Sequence, residues 1–279
     1  MTGPPPVLPE LDPTRPPPPE YLPDYEQFVT EDDTPVDNFF SEKQQRLLTE
    51  PIYSANVAAR LGRPILVAAN VGIFFGEGQP AIVPDVLVSL DVHLPDDLWP
   101  RANRSYFIWR FAKPPDVVIE IVSNREGGEL DRKRQRYAQL GIGYYLAFDP
   151  QRHLGETLAQ CYELRGRTYA PCERLWLADV GLGVTLWEGV YEGVRATWLR
   201  WCDDQGQVIP TGAELVEQER QRAEQEHQRA EQERQRAEQE RQRAEQERQR
   251  AEQERQRAER LAARLRALGI DPDVENGGV

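Results

Sequence analysis

Three cysteines and three histidines in 279 residues leave little from which to build a metal cage or a disulfide framework. Cys161, Cys172 and Cys202 form no CxxC pair, and an odd number cannot all pair within one chain. They read as small apolar residues of a reducing compartment rather than as zinc ligands. His93, His153 and His227 lie far apart, so they suggest no metal cluster. No apolar run reaches the length needed to span a bilayer, and no basic-then-apolar leader opens the chain. The expectation is a soluble, cytoplasmic protein with no membrane partner. An excess of positive charge is missing too: 47 acidic residues face 34 basic ones, for a net charge of -13. That acidity is unevenly placed. The first 50 residues carry -8, the last 11 carry -3, and residues 51–212 carry only -2, so a nucleic-acid partner stays open.

Aliphatic residues are scarce at both ends. The first 35 residues hold 11 of the 23 prolines, and this composition predicts a disordered, acidic, Pro-rich arm over residues 1–37. Residues 38–212, about 175 in number, suffice for one well-buried domain. Order is expected to begin at Ser41, a good N-cap with Gln44 three residues on, as in a capping box. Leu47, Leu48, Ile52, Ala55, Ala59 and Leu61 recur at near-helical spacing, and Pro51 should kink or split that helix. Strand-like runs follow at 65–71, 73–75, 81–90 and 106–111. The stretch 116–122 reads as a strand covered on both faces. A helix over 129–140, closed by Gly141, and a strand over 144–148 complete a βαβ unit with parallel pairing. A hairpin turns at Gly166, and further short strands are expected between Trp176 and Trp201.

Residues 213–268 form a heptad array, AEQERQR, with 14 Glu and 14 Arg. Ala, Glu, Gln and Arg are strong helix formers, so a helical or coiled-coil arm is predicted. Ion pairs Glu226–Arg229 and Glu233–Arg236 should add about 0.2–0.5 kcal/mol each. With alanine at position a, position d is Glu226, Glu233, Glu240, Glu247 and Glu254, which suits a solvated helix better than a seam. Only Ala258, Leu261, Leu265 and Leu268 fill an apolar stripe. Residues 269–279 read as a disordered tail.

Two carboxylates stand where apolar residues are expected. Asp85 lies in Ile82-Val83-Pro84-Asp85-Val86-Leu87-Val88, and Glu120 in Val117-Val118-Ile119-Glu120-Ile121-Val122. A buried carboxylate without a partner costs several kcal/mol, so each calls for a cation. Hard oxygen ligands suit Mg2+. On the helix that follows, Leu130 and Tyr137 share a face; Lys133 and Arg134 flank that stripe on either side, and periodicity does not choose between them. A compact ammonium is the better group to aim at a water, which favours Lys133. Arg132 and Arg136 are expected to point to solvent.

Pro84-Asp85, then Pro115-Asp116-Val-Val-Ile-Glu120-Ile-Val-Ser123, Lys133 with Tyr137, Gly141-Ile-Gly-Tyr-Tyr145 and Phe148-Asp149-Pro150 together resemble the Uma2 family of restriction-endonuclease-like, PD-(D/E)XK proteins. The resemblance runs from about Ser41 to Gly212, with a further echo in the leucine-rich ending. It implies an α/β fold: a restriction-endonuclease-like core with a central mixed sheet flanked by helices, here followed by a long C-terminal helix. It also implies that Asp85 and Glu120 are metal ligands with the Ile121 backbone carbonyl as a third, the ion being Mg2+ or Mn2+. The superfamily's lysine normally stands two residues after the second acid, where this chain has Val122; in Uma2-like proteins it has moved to the next helix, which matches Lys133. Glu42 matches either an accessory acid of some of these nucleases or, as the residue reading favours, an exposed Glu of the helix-capping region, and Ser123 and Asn124 match site-lining or helix-capping positions.

Two functional classes follow. The first is a Mg2+-dependent endonuclease hydrolysing DNA phosphodiester bonds through Asp85, Glu120 and Lys133. The alternative is a non-catalytic nuclease-fold module whose helical arm mediates self-association or partner binding. Three polar groups in apolar surroundings favour the first; a near-neutral core without a basic stripe favours the second. A homodimer is expected through the core, as in two-strand cutting, or through the C-terminal helix.

Overall fold

The computed structural model describes Asp24 and residues 38–123 and 129–268. The expectations for the arm 1–37, for Asn124 and for the tail 269–279 lie outside the described residues, Asp24 apart. The described chain divides into two compact units between Leu215 and Val216.

Helix α1 spans Phe39–Ser54. Its N-cap is Asn38, whose Oδ1 accepts from the Phe40 and Ser41 N–H groups, both at 3.0 Å. The cap therefore lies three residues before the expected Ser41, which is buried inside the first turn. Gln44, expected in a capping box, instead binds the Leu199 backbone through both ends of its amide, at 2.8 and 3.0 Å. The helix runs through Pro51 because Leu47, Leu48 and Ile52 are clamped in the core on either side of it. The break falls at Asn56, in the left-handed region at φ 50°, before α2 (Val57–Leu61).

Eleven strands follow among the described residues. The central sheet is built from β1 (Ile65–Ala69), β3 (Val86–Leu90), β5 (Val117–Ile121), β6 (Tyr144–Phe148), β7 (Ala159–Arg165) and β8 (Thr168–Pro171), in the order β1-β3-β5-β6-β7-β8. Within this sheet, among the described residues, β5 and β6 alone pair in parallel, through the crossover helix α4 (Glu129–Leu140), so the sheet is mixed, as expected. Gly141, at φ 80°, closes α4 with its N–H on the Ala138 carbonyl and Ile142 N–H on Tyr137, the two bonds of a left-handed C-terminal cap. Gly166 turns the β7–β8 hairpin at φ 66°.

Several strand boundaries differ from the sequence reading. The run 81–90 is a strand only from Val86; Pro84 has no N–H to donate, and Ile82 instead bridges to Ile73 of β2 (Ile73–Phe74). The run 106–111 splits into β4 (Tyr106–Phe107), parallel to β2, and the one-turn helix α3 (Ile108–Phe111). The strands expected to be short are a long hairpin: β10 (Leu182–Tyr191) against β11 (Val194–Cys202), with β9 (Trp176–Leu177) on β10. Glu192 and Gly193 both take positive φ, 45° and 79°, as a two-residue type I′ turn requires. The turn was missed because Glu, not Asn or Asp, fills its first position.

Strand alternation sorts the central sheet into two faces. Val117, Ile119 and Ile121 face Leu48, Ile52, Leu199 and Trp201. Val118 and Leu87 face Tyr137, Ile142 and Tyr145. Glu120, two residues from Val118, therefore emerges on the α4 face.

The last helix, α5, covers Gly212–Ala267. It starts with a reciprocal capping box: Glu214 N–H donates to Thr211 Oγ1 at 3.2 Å, and Thr211 N–H to Glu214 Oε2 at 2.8 Å. From Val216 on the helix buries no residue. The pairs expected at Glu226–Arg229 and Glu233–Arg236 do not form; Arg220 pairs with Glu217 and Glu224, and Arg255 with Glu259.

Candidate metal and phosphodiester site

The site gathers at one end of the β3–β5 pair. Val86 stands opposite Ile119 in antiparallel register, so Asp85, one residue before β3, stands opposite Glu120. Pro84, with no N–H to donate, precedes Asp85. Asp85 Oδ2 accepts from the Ile121 N–H at 2.6 Å, which ties the aspartate to β5 beside Glu120. Glu120 is only 3% exposed. Its Oε2 accepts from Lys133 Nζ at 2.9 Å, and its Oε1 from the Tyr137 hydroxyl at 2.5 Å. Lys133 also donates to the Val83 carbonyl at 3.3 Å, just before Asp85. Lys133 and Tyr137 lie four residues apart on α4, one turn, which is why a single helix supplies both donors.

The two cations left open by periodicity separate cleanly. Arg134 turns the other way: it pairs with Asp131 at 2.9 Å, and its guanidinium lies 5.0 Å from the centre of the Tyr162 ring. Arg132 is exposed, as expected. Arg136 is not simply solvated; it covers the Phe75 ring at 4.5 Å and donates to Gln79 at 3.2 Å, docking the β2–β3 loop on α4. Glu42 does not come to Asp85. It pairs with Arg46, which also binds Glu192 at 2.7 Å in the β10–β11 turn. Ser123 is exposed at the end of β5.

Three contributors were missed. Gln45, 5% exposed on α1, donates to Asp85 Oδ1 at 3.2 Å. Asn70, after β1, exchanges amide hydrogen bonds with Gln45 at 3.0 and 3.2 Å. Tyr137 was read as an apolar stripe residue, yet its hydroxyl reaches Glu120. Little in the sequence marks Gln45: the adjacent amides Gln44 and Gln45 stand near a helix start, with Arg46 between them and the core residues Leu47 and Leu48.

Burial, and after it the charge of Glu120, pushes the Tyr137 phenol far above the ordinary tyrosine range. Tyr137 is thus a permanent hydrogen-bond donor at any physiological pH. Burial acts the same way on Tyr145 beside it. Among the described residues no group of three His, Cys, Asp or Glu side chains able to hold a metal is found; Asp85 and Glu120 are the two described carboxylates placed at this end of the β3–β5 pair. No helix among them is long and apolar enough to cross a membrane.

Comparison with known proteins adds an independent line. No curated protein matches the chain. Among solved structures, one match is a crystal structure described as "a putative nuclease belonging to DUF820" from Anabaena variabilis. It is 16% identical, covers 50% of this chain and 71% of its own, and has a TM-score of 0.34. The model of the Uma2 family, described as "Putative restriction endonuclease", matches residues 30–181. The match begins before the expected Ser41 and stops short of Gly212, leaving out β10 and β11. It takes in α1, the β3–β5 pair and α4, and so every group that converges on Glu120. Spanning more than half of the sequence, it shows that the chain belongs to the Uma2 family.

Proposed function

We propose that the chain is a divalent-metal-dependent endonuclease that hydrolyses DNA phosphodiester bonds, with Asp85 and Glu120 holding Mg2+ or Mn2+ and Lys133 orienting the attacking water. The observation that carries this reading is the Lys133–Glu120 pair, drawn across an otherwise apolar face. Replacing a buried ion pair by well-packed apolar residues is often neutral or stabilising by about 1–4 kcal/mol, so stability alone does not account for it.

The donor set fits a hard cation. Two carboxylates suit Mg2+ or Mn2+, which take oxygen ligands and keep several waters. Each carboxylate oxygen has two lone pairs, so the hydrogen bonds on Glu120 do not exclude a cation. In an extended strand the N–H and C=O of one residue emerge on the same side. The Ile121 N–H meets Asp85, and the Ile121 carbonyl is therefore the natural third oxygen. When bound, the ion would polarise a phosphoryl oxygen and supply hydroxide near neutral pH. Lys133, its side chain 26% exposed, faces both the carboxylate and solvent, as a group that holds a water or offsets phosphate charge must. Tyr137 keeps the Glu120 carboxylate in one orientation.

Calorimetric titration with Mn2+ tests the assignment. Wild type should bind and Asp85→Ala should not; wild-type affinity in Asp85→Ala would contradict it. Metal binding by wild type without cleavage of DNA would point instead to the non-catalytic module.

A further inference from the structure

Asp85 lies just outside its strand, so ladder hydrogen bonds do not fix its side chain. Among the described residues two donors do so, one on each oxygen: the Ile121 N–H on Oδ2 at 2.6 Å and Gln45 Nε2 on Oδ1 at 3.2 Å. The first is rigid backbone. The second is an amide that could rotate by half a turn and present its oxygen to a carboxylate, which would repel it. Asn70 opposes rotation of that amide alone, since its Nδ2 donates to Gln45 Oε1 at 3.0 Å and its Oδ1 accepts from Gln45 Nε2 at 3.2 Å. Asn70 also grips the Asp85 main chain, its N–H donating to the Asp85 carbonyl at 3.1 Å. To do both it sits in the left-handed region, at φ 54°, which Asn tolerates better than most residues.

Resting on the ion-site reading above, we propose that Gln45, locked by Asn70, is the positioning residue that aims the Asp85 carboxylate and sets the charge of the site. A neutral amide donor at this point fixes Asp85 without adding negative charge. A carboxylate there would face Asp85 across about the same 3.2 Å, and a cation, or a proton taken up by one of the pair, would relieve the repulsion.

The test compares wild type with Asp85→Ala, Gln45→Glu, Gln45→Leu and Asn70→Gly. Glycine keeps the left-handed backbone while removing the amide. Mn2+ affinity is read by calorimetry, and melting temperature is read in chelator and in Mn2+. Asn70→Gly and Gln45→Leu should lose about tenfold in Mn2+ affinity, in line with the loss of outer-shell partners at metal sites. The Asn70→Gly melting temperature in chelator should stay near that of wild type. Gln45→Glu should melt lower than wild type in chelator and show the larger rise on adding Mn2+. That opposite response separates a charge-setting position from a merely packed one, and it stands with Asn70→Gly should Gln45→Leu fail to fold. If Asp85→Ala loses Mn2+ binding while Asn70→Gly and Gln45→Glu bind and melt like wild type, this inference alone falls. If wild type itself takes up no Mn2+, the ion-site reading falls with it.

Discussion

Glu120 is held by two side chains from one helix, and the identity of each donor matters for what the site can do. The Tyr137 phenol, kept protonated by burial, orients Oε1; the Lys133 ammonium balances the charge at Oε2. Arg134, adjacent in sequence, spends its guanidinium on Asp131 and the Tyr162 ring. Lys133→Gln should therefore lower Mg2+-dependent DNA cleavage by about 100-fold or more, the scale of losing an electrostatic stabiliser at a reacting centre. Arg134→Gln should cleave within a fewfold of wild type, and equal losses in both variants would contradict the assignment. At this scale the charged members of the site were legible, because Asp85 and Glu120 interrupt apolar runs where a carboxylate is costly. Gln45 and Asn70 were not, because a neutral amide near a helix start or after a strand is ordinary in sequence. Its role depends on a partner 25 or 40 residues away.

The elements that present these residues follow from local chemistry that the sequence partly displays. The β5–α4–β6 crossover was readable because an apolar run, a 12-residue helix and a glycine at the C-terminus agree with one another. The β10–β11 hairpin was not, since its I′ turn uses Glu192-Gly193. The arm expected from residue 213 begins one residue earlier, at Gly212; the capping box of Thr211 with Glu214 that starts it lies ahead of the repeat and was not foreseen. Glu214 also makes a two-pronged bond to Arg200, at 2.6 and 2.8 Å, with the Arg200 side chain 3% exposed. Burial alone would raise the Glu214 pKa, but the hydrogen bonds from Arg200 and Thr211 outweigh it and hold the carboxyl below its usual 4.5. A depressed folded pKa contributes stability above the unfolded value, and that contribution is lost as pH falls through the folded one. Glu214→Gln should thus destabilise the protein at pH 7 by about 1 kcal/mol, a hydrogen bond to a charged group discounted for the solvent that reaches the part-exposed carboxylate. The gap to wild type should close as pH drops below 4.5. Urea midpoints across pH measure it, and a gap independent of pH would show that the ion pair is not its source.

At the scale of the whole molecule, a nuclease-family unit is joined to a 56-residue helix. At 1.5 Å per residue that helix is about 80 Å long. Its repeat carries acids at the d positions and buries nothing, so the repeat itself offers no seam for pairing. The apolar stripe is confined to the end, where Leu261 and Leu268 are 57% and 72% exposed. Self-association through the arm should therefore begin there and be weak. Leu261→Glu with Leu265→Glu should abolish a concentration-dependent dimer in analytical ultracentrifugation; a dimer that survives would be held through the core. The central claim concerns Asp85 and Glu120, the carboxylates that stand opposite one another at the end of the β3–β5 pair. Cleavage of supercoiled plasmid in Mg2+ by wild type and by Glu120→Gln, with melting curves recorded for both, tests it most directly. Wild type should nick or linearise the plasmid and lose this activity in chelator. Glu120→Gln should stay folded and leave the plasmid intact. Cleavage by Glu120→Gln at the wild-type rate, or by wild type undiminished in chelator, would place the chemistry elsewhere.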